Sequence, residues 1–171
     1  MARFSWRAVA GASFVFLLGA CGTSEPLGLG GNTNGNNGAV QAEYDVALKK
    51  WQASAPVHYR IVIQQTCECS TDLQRASRVT VRRTGDQQVQ QVEEVVDAAS
   101  LEPVSNERKL AAKSVDGLLV IIQQALALNP QDSRITYDAT LGYPISVNID
   151  PVTSITGDEF VYKITSFETL P

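Results

Sequence analysis

The sequence predicts an α+β fold: an antiparallel sheet with about two helices packed on one face, in the order helix, three strands, helix, three strands. Three observations point there. Two segments carry apolar residues at helical spacing, and six short segments read as strands. Short turns join the strands, which makes sequence neighbours antiparallel, and two helices suffice to cover one face of such a sheet.

The elements follow in order. Over Val40 to Ala53, Tyr44, Leu48 and Trp51 fall on one stripe, with Lys49 and Lys50 on the wet side, and Pro56 bars continuation. Tyr59 to Thr66 alternates, Tyr59, Ile61 and Ile63 facing one way and Arg60 and Gln64 the other. Ser77 to Arg83, with Val79 and Val81 on one face, and Val89 to Val95, with Val92 and Val95, form a hairpin about Thr84-Gly85-Asp86. Residues 97 to 113 read as polar and irregular. Ser114 then caps a helix, Asp116 favours its positive start, and Val115, Leu118, Leu119, Ile122 and Leu126 form its stripe until Asn129-Pro130. Arg134 to Asp138, Ile145 to Asp150 and Phe160 to Phe167 are the last strands; in the third, Phe160, Tyr162 and Ile164 share a face.

Before this domain lies a segment of another kind. Arg3 and Arg7 precede an apolar run of eleven residues, Ala8 to Leu18, too short to span a bilayer but of the length of a signal-peptide core. Leu18-Gly19-Ala20-Cys21 follows, small residues before a cysteine, which matches the lipobox of bacterial lipoproteins. That match implies a signal peptide over residues 1–20 and a diacylglycerol thioether on Cys21. One acyl chain holds only marginally, whereas two or more hold firmly, so a multiply acylated Cys21 is a stable membrane anchor. The domain would then sit in the cell envelope, on the outer membrane facing the periplasm if the host is Gram-negative, since Gly22 rather than an Asp follows the cysteine.

Residues 21–39 comprise that cysteine and a Gly- and Asn-rich flexible linker, leaving residues 40–171 as one domain. The chain is 44% hydrophobic and 19% charged, which suits a globular domain. Removing the leader leaves 12 basic against 18 acidic residues, with no basic footprint for nucleic acid. The expected partners are the membrane, through the lipid on Cys21, and another envelope protein.

Three constellations could carry chemistry. Cys67-Glu68-Cys69 ends the first strand. In an oxidising envelope the pair reads as a local disulfide, a redox-active pair or soft-metal site, or free thiols. Residues i and i+2 of a straight strand lie about 6.6 Å apart, so a bridge requires a bend. Zinc would lack two ligands, because the single histidine, His58, projects from the opposite strand face as a surface residue. The second constellation is the loop Leu141-Gly142-Tyr143-Pro144, where Tyr143 is either a presented aromatic contact or a packed turn residue. The third is acidic: Asp150, Asp158 and Glu159 bracket a loop and read as solvated loop charges. Calcium ligation or acid–base use are the alternatives, although the spacing is not that of a compact calcium loop. No nucleophile–histidine arrangement, phosphate-cradling glycine loop or metal triad is present in the sequence, so no catalytic residue, metal or cofactor is expected and the chain reads as a non-catalytic binding or structural module.

The run Trp51 … Tyr59 … Cys67-x-Cys69, then Ser114-Val115-Asp116-Gly117-Leu118, Tyr137-Asp138-x-x-Leu141-Gly142-Tyr143-Pro144-x-x-Val147-x-Ile149-Asp150 and Asp158-Glu159, resembles a family of bacterial envelope proteins, domain of unknown function sixty-one seventy-four. Many of its members read as lipoproteins. The resemblance spans roughly residues 44 to 168, and Glu68 between the cysteines departs from the family's more usual pattern. It implies domain limits and a compartment, and no activity.

Overall fold

The computed structural model describes residues 37–84 and 89–171. The leader, Cys21, most of the linker, and Gly85 and Asp86 of the expected turn lie outside the described residues. The elements are α1 (Asn37–Ser54), β1 (His58–Thr66), β2 (Ser77–Thr84), β3 (Val89–Asp97), α2 (Asn106–Ala111), α3 (Val115–Ala127), β4 (Asp132–Tyr137), β5 (Pro144–Asp150) and β6 (Phe160–Thr169). The strands form one antiparallel sheet in the order β3-β2-β1-β6-β5-β4. It is two three-stranded meanders stitched together by β1 and β6, which is the α+β architecture that the alternation predicts.

Alternation in the strands gives the sheet one apolar face. Tyr59, Ile61 and Ile63 of β1, Val79 and Val81 of β2, Val147 and Ile149 of β5, and Tyr162 and Ile164 of β6 are buried there. Against them pack Val40, Tyr44, Ala47 and Trp51 of α1, and Val115, Leu118, Leu119, Ile122, Ala125 and Leu126 of α3. Each large side chain so buried contributes roughly 1.5–3 kcal/mol. The other face is polar, as expected of an antiparallel sheet covered on one side.

Two bulges reconcile the sequence pattern with this face. Thr80 pairs with Glu94 but Val81 pairs with Val92, so Glu93 is the extra residue. Val92 and Val95, three apart, therefore share a face. Likewise Val62 pairs with Ser166 and Ile63 with Ile164, which leaves Thr165 over and brings Phe167 onto the side of Ile164.

Helix ends follow capping chemistry. The Ser114 hydroxyl accepts from the Gly117 N–H at 3.1 Å, and α3 stops where Asn129 takes a positive φ of 53°. The Tyr59 hydroxyl accepts from the Val115 N–H at 3.2 Å, pinning the start of α3 to β1. The Trp51 indole N–H donates to Asp116 at 3.1 Å, and its ring meets Tyr59 and Phe167 edge-on at 5.5 and 6.0 Å. α1 begins at Asn37, within the stretch whose composition reads as linker, because Val40 is buried and the Asn37 amide donates to Pro130 O at 3.1 Å.

One element departs from the sequence reading. Within residues 97–113 lies α2, capped by the Ser105 hydroxyl accepting from the Arg108 N–H. Its buried residue is an arginine, so it has no apolar period to read. Arg108 is 3% exposed; it donates to Ser77 Oγ at 2.9 Å, to Asp97 at 2.9 Å and to the Ala76 carbonyl, and it pairs with Asp72 at 3.5 Å. Asp97 also receives Arg75 at 2.9 Å and the N–H groups of Ala99 and Ser100 at 3.0 Å. These bonds, led by that of Ser100, hold its carboxyl far below the usual carboxylate range.

Candidate functional site

The Cys67-Glu68-Cys69 segment is where β1 leaves the sheet. The chain bends directly after Thr66, and the two Cα atoms lie 5.2 Å apart, closer than in a straight strand, with the sulfurs at disulfide distance. Both residues are half-buried. The Gln74 side-chain amide donates to the backbone carbonyls of Cys67 and Cys69, each at 3.1 Å, while the Gln74 backbone carbonyl accepts from the Gln64 side-chain amide at 2.9 Å. Glutamine and the sulfur pair thus close the loop from both sides.

Beside this loop, the outer polar face ends in an open recess of about 480 Å³ lined by Thr66, Cys67, Glu68, Asp132, Arg134, Asn148, Asp150 and Glu159, among others. Strand pairing assembles it: Thr66 pairs with Val161, Val161 with Asn148, Asn148 with Arg134, and Asp150 with Asp132. Of the acidic residues singled out in the sequence, Asp150 and Glu159 line the recess, with Glu68 and Asp132 beside them, while Asp158 is not in its wall but lies near enough to act on Asp150. The Glu68 carboxylate lies against Gly157, whose φ of +89° opens the backbone toward it. A carboxylate oxygen of Asp150 and one of Asp158 are buried without a hydrogen-bond partner. Burial first, then the charges of Asp158 and Glu159, push the Asp150 carboxyl up from its ordinary value. Arg134 answers with a 2.5 Å bond to Asp132. The recess therefore has an excess of negative charge and a local field that favours cations. Among the described residues, no three His, Cys, Asp or Glu side chains are placed to hold a metal ion together.

His58 sits at the far end of β1. Its ring contacts Glu93 at 3.1 Å, the Pro171 carbonyl at 2.9 Å and Arg82 at 3.1 Å, so it is tied into an ionic cluster rather than standing free on the surface.

The Leu141–Pro144 loop is built into the domain. Asp138 organises it: its carboxylate accepts from the N–H groups of Thr140 and Leu141 at 3.0 and 2.6 Å, and its carbonyl accepts from Gly142 N–H at 3.0 Å. Gly142 has φ +80°, and a Cβ there would lie 2.2 Å from the Ala47 carbonyl of α1. Leu141 is partly buried against the core, and Pro144 opens β5 as a buried residue. Tyr143 stacks on Phe167, ring centroids 4.5 Å apart and planes 11° from parallel. One ring face of Tyr143 is thus spent on packing.

A second concave surface has no counterpart in the sequence reading. Ala42, Glu43, Val46, Ala47 and Lys50 of α1 face Ile135, Thr136, Tyr137 and Asp138 across an open groove of about 560 Å³. The signal available was Val46, an apolar residue on α1 off the buried stripe, 55% exposed. That β4 lies at the sheet edge could not be read from the chain. No helix among the described residues is long and apolar enough to cross a membrane.

A family model described as a family of unknown function (DUF6174) matches residues 43–169, from the first turns of α1 to the last residue of β6. No curated protein and no solved structure matches the chain. The match takes in the Cys-x-Cys loop, the Leu141–Pro144 turn and the acidic recess alike, and the chain belongs to the DUF6174 family of unknown function.

Proposed function

We propose that this chain is a lipid-anchored protein of the bacterial cell envelope whose domain is a non-catalytic binding module for another envelope component. The observation that carries the reading is Cys21 directly after Leu18-Gly19-Ala20, behind an eleven-residue apolar run and two arginines. In a Gram-negative host the domain faces the periplasm from the outer membrane, with residues 22–36 as spacer. The open acidic recess beside the Cys67–Cys69 loop supplies a place for that partner. The test is the mass of the amino-terminal peptide from membranes. It should begin at Cys21 and carry lipid, and Cys21→Ser should abolish the lipid and retain the leader. Recovery of the protein from the cytosol with residues 1–20 intact and no lipid would overturn the reading.

A second reading is favoured by the placement of Cys67 on the wall of an open recess. There the pair would exchange with a partner's thiols, its disulfide reduced to two thiols as the partner's two thiols close to a disulfide. Thiol labelling of the folded protein before and after mild reductant decides it: a pair that stays oxidised and unlabelled leaves the binding module alone.

A further inference from the structure

We propose that the α1–β4 groove is a self-association surface, occupied by a second copy of this chain across a two-fold axis through Ile135. This inference is independent of the anchor and concerns a partner that the reading above does not name.

The surface is self-complementary in two respects. First, β4 is an edge strand, paired with β5 on one side and with no strand on the other among the described residues, so that its outer row of backbone donors and acceptors is open there. The irregularity at Thr136/Tyr137 leaves Ile145 of β5 as the extra residue, so β4 itself runs unbroken from Asp132 to Tyr137. Such an edge is a template for another strand unless it is covered. Second, α1 runs alongside β4 in the same direction, with Asn37 bonded to Pro130 at one end and Lys50 to Ala139 at the other. An antiparallel β4–β4 pairing about a perpendicular two-fold axis keeps both helix layers on one face and sets the two α1 helices antiparallel. Exposed Glu43 and Lys50 lie symmetrically about Val46 and Ala47, so Glu43 of each protomer meets Lys50 of the other while Val46 enters the facing groove. A heterologous strand would have to match this pattern by chance, whereas a second copy matches it by symmetry. The hydroxyls of Ser133 and Tyr137, on the covered face of β4, are enclosed within the protomer and take no part in the contact.

Two experiments on the full-length chain test the proposal. In the first, Arg134→Cys and Thr136→Cys chains with different tags are produced together and oxidised. An axis through Ile135 puts position 134 opposite position 136, so mixed crosslinks should outnumber those between identical variants. In the second, Glu43→Lys or Lys50→Glu alone should weaken dimerisation by about tenfold, each losing two rim ion pairs and creating two repulsions. The double exchange should restore it. Within one helix the two side chains are about 10 Å apart along the axis, so restoration cannot come from a contact inside one chain. Monomers at every concentration, mixed crosslinks no commoner than the others, or charge reversals not rescued by the double exchange would each overturn it. A crosslink from Thr136→Cys to a different protein would assign the groove to another partner.

Discussion

Arg108 of α2 places its guanidinium 2.9 Å from Asp97 at the end of β3, and both side chains are buried. A six-residue helix is too short to stand alone and is held here by an ionic contact rather than by an apolar stripe. Removing one partner of a buried pair leaves the other charge uncompensated, at a cost of roughly 3–5 kcal/mol. Arg108→Ala is expected to lose about that much in urea unfolding at neutral pH. Arg108→Lys should recover only part of the loss, because an ammonium cannot serve Ser77, Ala76, Asp72 and Asp97 from one fork.

Two perturbed carboxylates, Asp97 and Asp150, give opposite pH dependences. Asp97 titrates in the folded protein far below the 3.8 of a free aspartate, so its stabilising contribution is complete above that pH and is lost as pH falls toward the folded value. Asp150 titrates above 3.8, so the folded state binds its proton more tightly, and stability falls as pH rises from 3.8 through the folded value. Asp97→Asn should therefore lower the melting temperature at pH 7 and flatten the acid limb. Asp150→Asn should raise the melting temperature at pH 7 and change nothing at pH 3. Melting curves of the two variants at both values check the signs; destabilisation by Asp150→Asn at neutral pH would mean that a cation normally neutralises the recess.

Two glycines separate close approach from mere flexibility. At Gly142 a methyl group would strike the Ala47 carbonyl in a left-handed backbone, and Gly142→Ala is expected to cost about 2–4 kcal/mol. At Gly38, in the first turn of α1, a Cβ meets nothing within 4 Å, and Gly38→Ala should stabilise by up to about 0.5 kcal/mol. Chemical denaturation of both variants beside the parent measures the contrast.

Legibility followed the kind of force in play. Wherever burial repeats along the chain, as in Tyr44 and Trp51 or Val115, Leu118 and Ile122, periodicity locates the element and its inner face. Val92 and Phe167 fit only through bulges at Glu93 and Thr165, which belong to the pairing of two strands and leave no local mark. α2 escaped because its cohesion is ionic and long-range. The site divided in the same way: the cysteines and Asp150, Asp158 and Glu159 stood out by type, but that Cys67, Asp150 and Glu159 share one recess with Glu68 and Asp132 depends on β6 lying between β1 and β5. The turn at Tyr143 was readable as a turn, yet its stacking partner Phe167 comes from the far end of the chain.

A bridge between the Cys67 and Cys69 sulfurs, which lie at disulfide distance, closes a ring of only three residues and would remove little freedom from the unfolded chain. Loop-closure entropy gives about 1.6 kcal/mol for such a ring, below that of most bridges. Cys67→Ser/Cys69→Ser should therefore cost no more than about that amount in global stability. The effect should be local instead, because Gln74 is bonded to the two cysteine carbonyls and the following residues carry Asp72 to Arg108 and Arg75 to Asp97. Amide hydrogen exchange is expected to quicken over residues 67–76 and to stay unchanged in β2 and β5, which the hydrogen-bond ladder secures without the bridge. A loss well above 2 kcal/mol, or faster exchange across the whole sheet, would show that the bridge holds the core rather than the loop.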